Sequence, residues 1–213
     1  MCVNYLPPKR EQFRYFDVEP PNDDWRDEVW QDYTAPIILA GETGRREAKL
    51  ATYGMVPKSR IPAKVKKYTT MNARSESVGS LRSYSQAWKA AQLCLVPMQC
   101  FYEPNWETGK HIRWRIGMAD GSPFAVAGLW KSWPEEDGGV SHSFTQLTVN
   151  ADEHEVMKRF HKLGDEKRSL VVIPYAEYDA WLNCKNPELA RSFMTLFPAE
   201  LMSCAPAPKV AVG

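Results

Sequence analysis

The hydrophobic positions of this chain fall into many short runs rather than a few long periodic ones. Pro36-Ile37-Ile38-Leu39-Ala40 and Lys49-Leu50-Ala51-Thr52-Tyr53-Gly54 predict two short strands, with a turn over Gly41-Glu42-Thr43-Gly44 between them. Ile112, Trp114 and Ile116 alternate with His111, Arg113 and Arg115, which places an apolar face opposite a polar one. Leu93–Val96, Phe124–Leu129, Phe144–Val149 and Leu170–Ile173 supply further strands, and turns fit at 106–109, 120–121 and 137–139. Helix signals are fewer. Residues 83–92 combine good helix formers with a serine cap candidate. Asp152 is placed to cap a helix running to about Phe160, with Glu155 completing a capping box. Tyr175–Leu182 and Pro187–Phe197 read as two final helices, Pro187 standing where a first turn tolerates it. Residues 7–31 lack steady periodicity and predict an ordered meander, residues 55–70 a basic surface loop. Seven or more short strands with about four helices in irregular order predict an α+β fold with a largely antiparallel, barrel-like sheet.

Length and composition narrow this further. The 213 residues contain no linker-like run and no internal repeat, so one domain is expected over residues 1–204, with a Pro- and Ala-rich tail at 205–213 that frays. A formal net charge of +1 gives no global basic excess; any nucleic-acid surface must come from local clustering, of which Lys58, Arg60, Lys64, Lys66 and Lys67, followed by Arg74 and Arg82, are the instance. Such a cluster suits a solvated loop as well as a phosphate-binding one. Five cysteines without a C-x-x-C pair suit neither a disulfide framework nor a zinc site, so Cys94, Cys100, Cys184 and Cys204 read as reduced packing residues, and no metal or cofactor is expected. Without a signal-peptide core or a membrane-length apolar run, the expectation is a soluble cytoplasmic monomer. His111, His142 and His154 read as surface residues.

The chemistry concentrates at the start of the chain. Cys2 follows Met1 directly, and its side chain is small enough for methionine removal, which would put an α-amino group and a thiol on one residue. With an α-amino pKa near ~7.7–8.0 and a thiol near ~8.5, this pair can condense with an aldehyde to an imine and close to a thiazolidine. Glu103 follows an apolar, aromatic strand that Pro104 is expected to end, and reads either as an ordinary solvent-facing turn glutamate or as a carboxylate of raised pKa that shuttles protons. His161 sits at the exit of the expected 152–160 helix, either as a C-terminal charge interacting with the helix dipole or as a proton donor or acceptor. Asn72 offers a carbonyl and an amide; Arg74 offers a bidentate phosphate donor, or else a salt bridge to Glu76.

In order and spacing, Cys2, Met71-Asn72-Ala73-Arg74-Ser75-Glu76, Cys94-Leu95-Val96-Pro97 through Phe101-Tyr102-Glu103, and Arg159-Phe160-His161 resemble the SOS response-associated peptidase (SRAP) family from Cys2 to about Pro174. Its members share an N-terminal Cys, N-A-R-x-E, C-x-x-P…G-F-Y-E-W and H-D-R-M-P. The resemblance implies a strongly bent sheet with the N-terminus buried in a central cleft. It also implies capture of the ring-opened aldehyde of an abasic site in single-stranded DNA as a thiazolidine, in the DNA damage response. Carried over, Cys2 is the nucleophile, Asn72 orients its amine, Glu103 shuttles protons and His161 assists ring opening; Asn4, Tyr53, Lys58, Lys66, Lys67 and Arg74 stand as DNA-binding candidates, on a protein associated with the nucleoid when bound. The alternatives are a thiol peptidase or amidohydrolase, autoproteolytic or acting on other substrates, in which Cys2 attacks a carbonyl with its own amine as base, and a non-catalytic single-stranded DNA binding module. Three departures stand out: Cys2-Val3-Asn4 where members begin Cys-Gly-Arg, Tyr53-Gly54-Met55-Val56-Pro57-Lys58 without the tryptophans of W-G-x-x-P-x-W, and a longer stretch after His161 that lacks the proline.

Overall fold

The computed structural model describes residues 2–209. Twelve strands run through them: β1 Asn4–Leu6, β2 Thr34–Ala40, β3 Arg46–Tyr53, β4 Asn72–Arg74, β5 Leu93–Met98, β6 Cys100–Asn105, β7 Ile112–Met118, β8 Phe124–Pro134, β9 Val140–Asn150, β10 Arg168–Leu170, β11 Val172–Ile173 and β12 Met202–Pro206. Helices are short: α1 Ser85–Lys89, α2 Tyr178–Leu182 and α3 Pro187–Ala190. Strands β9, β3, β2, β5 and β8 close into a five-stranded barrel, because β8 pairs with β5 on one side (Leu95↔Ala127) and with β9 on the other (Leu129↔Thr145). Closure leaves the barrel strands no free edge. Most pairings are antiparallel; β3 and β4 both run parallel to β9. A second sheet, in the order β1-β6-β7-β12, brings the first strand of the chain beside the one that carries Glu103. The α+β, barrel-like expectation therefore holds.

Both faces of the barrel strands are covered, which is why they read as apolar runs rather than as alternation. Cys94, Val96 and Met98 of β5 pack into a cluster with Cys2, Tyr5 and Phe101, while Leu93 and Leu95 pack into a second cluster with Trp88, Trp181 and Leu182. Ile37 and Ile38 divide between the same two clusters. Gly128 sits where β8 crosses closest to its neighbours: a Cβ there would lie 2.8 Å from Cys94 Sγ and 2.8 Å from the Thr145 carbonyl oxygen.

Several local expectations are corrected. Residues 152–160 form turns and one 3₁₀ turn, Met157–Arg159, instead of a capped helix. Asp152 is occupied elsewhere, accepting from the Lys167 amide at 2.8 Å, and His154 takes over the capping, its Nδ1 accepting from the amides of Val156 (3.2 Å) and Met157 (3.1 Å). His154 is therefore buried, with Nε2 2.8 Å from the Phe197 carbonyl oxygen, and is no surface residue. Helix α1 begins at Ser85 without a side-chain cap, and the last expected helix stops as α at Ala190, although Asn186 caps it and Pro187 opens it as expected. Pro104 does not end its strand, since β6 continues to Asn105 opposite Ile112. The chain is still paired at Ala205 and Pro206, opposite Arg115 and Trp114, so any fraying begins later; residues 210–213 lie outside the described residues. The meander at 7–31 includes a 3₁₀ segment, Arg10–Phe16, and Arg10 pins it by donating to the carbonyls of Pro21 (2.7 Å) and Asn22 (2.8 Å).

Candidate active site

Cys2 precedes an edge strand of three residues. Strand β1 pairs with β6 in the register Asn4↔Tyr102, Tyr5↔Phe101, Leu6↔Cys100, so the start of the chain lies alongside the end of β6 that bears Glu103. Cys2 is 1% exposed. Its carbonyl oxygen accepts from Asn72 Nδ2 at 2.7 Å and from the Tyr53 hydroxyl at 3.2 Å, and its thiol lies 3.4 Å from the Asn4 carbonyl oxygen. Burial, reinforced by the Glu103 charge, pushes the thiol pKa far up, while the chain's amino terminus pulls against it. At neutral pH the thiol is protonated, so making it a nucleophile requires a proton acceptor.

Glu103 is the candidate acceptor. Burial raises its pKa from 4.5 to about 7, against the opposing pull of the positive amino terminus. Its Oε2 lies 3.4 Å from His161 Nε2. His161 is shifted the other way, from 6.5 to about 4, by burial and then by the positive charges of the amino terminus and Lys167. With Glu103 raised and His161 lowered, a proton on the pair sits on the carboxyl rather than the imidazole near pH 7, an arrangement that suits general acid–base chemistry. His161 also holds a left-handed backbone (φ 65°), unusual for a residue with a Cβ. It is fixed there by its amide donating to the Pro104 carbonyl at 2.8 Å and by Lys167 Nζ donating to its own carbonyl at 3.2 Å. The continuation of β6 through Pro104 thus seats the imidazole.

Asn72 opens β4, whose parallel register with β9 (Asn72↔Gln146) presents it to the start of the chain. Its Nδ2 holds the Cys2 carbonyl; its Oδ1 is buried without a partner among the described residues. The structure thus gathers Cys2, Asn72, Glu103 and His161.

The DNA-binding candidates divide. Tyr53 is 0% exposed, and its ring packs against Tyr5 and Phe144, so it offers no face to a base. Asn4 is buried too, its amide donating to Glu28. Both are corrected as surface contacts. Lys58 pairs with Asp32 at 3.3 Å, and Lys67 donates to the carbonyls of Lys58 (2.9 Å) and Ile61 (3.0 Å), bracing its own loop. Lys66 is exposed and makes no ion pair among the described residues. Arg74 is half exposed and pairs with Glu166 at 2.7 Å, not with Glu76, which is engaged by Arg168. Gln146 escaped the sequence reading; the signal was an amide inside the otherwise strand-like Phe144–Val149. Among the described residues no group of three or more His, Cys, Asp or Glu gathers into a metal site, and no helix is long and apolar enough to cross a membrane. Cys2, Cys94, Cys100, Cys184 and Cys204 are all free thiols.

The fold is a closed barrel with the second residue of the chain buried beside Asn72, Glu103 and His161. The sequence model of the SOS response associated peptidase family matches residues 5–211, and the chain belongs to that family. A curated relative, the abasic site processing protein YobE of Bacillus subtilis, is 26% identical over 168 residues, 78% of this chain and 72% of its own. A protein of Bordetella bronchiseptica of known structure is 32% identical and superposes with a TM-score of 0.88 over 98% of this chain and 100% of that one. The same fold, at 19% identity, occurs in a protein of Bacteroides thetaiotaomicron, with a TM-score of 0.70 over 96% of this chain and 91% of that one.

Proposed function

We propose that this protein captures abasic sites in single-stranded DNA covalently, through a thiazolidine formed by the amine and thiol of Cys2 after Met1 is removed. The observation that carries the reading is the Cys2 backbone, clamped by Asn72 beside a carboxyl poised near neutral pH; the name of the Bacillus relative supports the substrate. The Cys2 amine adds to the ring-opened aldehyde to give a carbinolamine. Protonated Glu103 gives its proton to the departing hydroxyl, so water leaves and an iminium forms. The thiol sulfur then adds to the iminium carbon and its proton returns to the Glu103 carboxylate. One C–N and one C–S bond form, one water is released, and Glu103 ends as it began. Asn72 Oδ1 holds the amine; neutral His161, beside Glu103, is the proton partner for reversing the ring. Exposed Lys66 and half-exposed Arg74 meet the strand's phosphates.

The test is a denaturation-resistant gel shift on a uracil-containing single strand treated with uracil glycosylase. Wild type gives one adduct per chain, and Cys2→Ala gives only a Schiff base trapped by borohydride. Absence of a wild-type adduct removes the proposal, as does full activity in protein whose intact mass still includes Met1. The peptidase reading, which the family's name favours, predicts multiple turnover on a peptide library in place of a stoichiometric adduct.

A further inference from the structure

Tyr53 stands where the family pattern has a tryptophan, yet it is buried and its hydroxyl faces inward. That hydroxyl lies 3.2 Å from the Cys2 carbonyl oxygen and 3.0 Å from Gln146 Oε1. A phenol carries one proton and donates to one of these acceptors only. Gln146 Nε2, meanwhile, is buried without a partner among the described residues. Exchanging the two ends of the Gln146 amide, which are nearly identical in shape, removes the competition for the phenol proton and gives Nε2 a partner: Nε2–H donates to the Tyr53 oxygen, and the Tyr53 O–H donates to Cys2. The result is a directional chain, Gln146 to Tyr53 to the Cys2 carbonyl, that ends beside the second donor, Asn72 Nδ2. With two donors on one carbonyl, the Cys2–Val3 peptide plane is held, and with it the position of the Cα that bears the amine and the thiol.

We infer that Tyr53 and Gln146 are positioning residues for the reaction, a relay across β3 and β9 that locks the Cys2 carbonyl and so keeps the Cα that bears the amine and thiol in place within the site. The inference rests on the aminothiol reading of Cys2. Its elements are rigid: Tyr53 and Phe144 are paired in register and their rings stack at 5.2 Å, and Gln146 stands two residues along the same strand, on the same face. Preorganisation of this kind acts on the rate of the bound complex, not on how tightly the strand is held.

Tyr53→Phe keeps the ring and removes the hydroxyl. The expected result is a roughly fivefold fall in the adduct-forming rate at saturating abasic strand, the loss of one net hydrogen bond. The half-saturating concentration and the pH midpoint set by Glu103 stay unchanged. Gln146→Met gives a similar fall, and the double variant no more than the worse single one, because the two act in series. Leu182→Ala removes core volume from the second cluster, away from the relay; it lowers the melting temperature and leaves the saturated rate alone. A wild-type saturated rate in Tyr53→Phe, or an equal slowing in Leu182→Ala, overturns the inference. To keep its failure apart from that of the abasic-site reading, the Met1-free proteins are also treated with glycolaldehyde, and thiazolidine formation at Cys2 is followed by intact mass. A wild type inert toward the abasic strand sinks that reading alone; slower glycolaldehyde condensation by Tyr53→Phe still supports the relay, and equal condensation overturns it.

Discussion

Replacing Glu103 with Gln is expected to change the pH dependence of folding in a way that exposes two opposed titrations. The folded pKa of Glu103 is raised from 4.5 to about 7, so the native state binds its proton more tightly than the unfolded chain does. That contribution is complete below pH 4.5 and is lost as the pH rises through 7, about 3 kcal/mol at ~1.4 kcal/mol per pH unit. His161 is lowered from 6.5 to about 4, so its contribution is complete above pH 6.5 and is lost as the pH falls through 4, again about 3 kcal/mol. Between pH 4.5 and 6.5 the two slopes cancel, because the native state holds one proton on Glu103 and the unfolded chain one on His161. Wild-type stability is therefore flat in that window. Glu103→Gln keeps the shape and removes one titration: its stability climbs with pH from 4.5 to 6.5, equals that of wild type near pH 4, and exceeds it by about 3 kcal/mol at pH 8. Urea unfolding followed by tryptophan fluorescence at half-unit pH steps measures both curves. Parallel curves, or a wild type more stable than the variant at pH 8, would refute the placement of a buried, proton-exchanging carboxyl.

Gly128→Ala is expected to destabilise by at least about 1–3 kcal/mol, measured by urea unfolding, since the added methyl meets the Thr145 carbonyl at 2.8 Å and the barrel must open to admit it. Asn72→Ala removes the 2.7 Å bond to the Cys2 carbonyl and the buried acceptor beside it; the adduct-forming rate is expected to fall by roughly tenfold or more while binding of undamaged single strand, read by anisotropy, changes little. Lys66→Glu should act oppositely, weakening strand binding and flattening its log–log salt slope by about 0.7 or more, with the saturated adduct rate unchanged.

The barrel was legible because its strands are covered on both faces and so leave continuous apolar runs, as in Pro36–Ala40 and Leu93–Val96. The missing helix at 152–160 shows the converse. Asp152 and Glu155 make a cap-like spacing, but here the Lys167 amide claims Asp152 from fifteen residues away, while the ring of His154, inside the segment, takes the amides of Val156 and Met157. Strand β1 was invisible for a similar reason: three residues carry no period, and only pairing with β6 makes them a strand. In the site, Cys2, Asn72, Glu103 and His161 were legible as residue types in order. What the sequence did not disclose was direction, since Tyr53 and Asn4 look like surface contacts until the register of β3 and β1 turns them inward.

The pairing of β1 with β6 has a consequence in time. Asn4 meets Tyr102, a partner made almost a hundred residues later. At a synthesis rate of ~5–20 residues per second, the first residues of a chain started at Met1 wait on the order of 5–20 s before β6 exists to cover them. His161 arrives later still. For the aminothiol chemistry proposed above, the Met1–Cys2 peptide bond would stay within reach of a processing enzyme throughout that interval, and folding would then withdraw the amine from stray aldehydes. The 1% exposure of Cys2 is compatible with that proposal because shelter by β6 can form only after the interval in which trimming would occur.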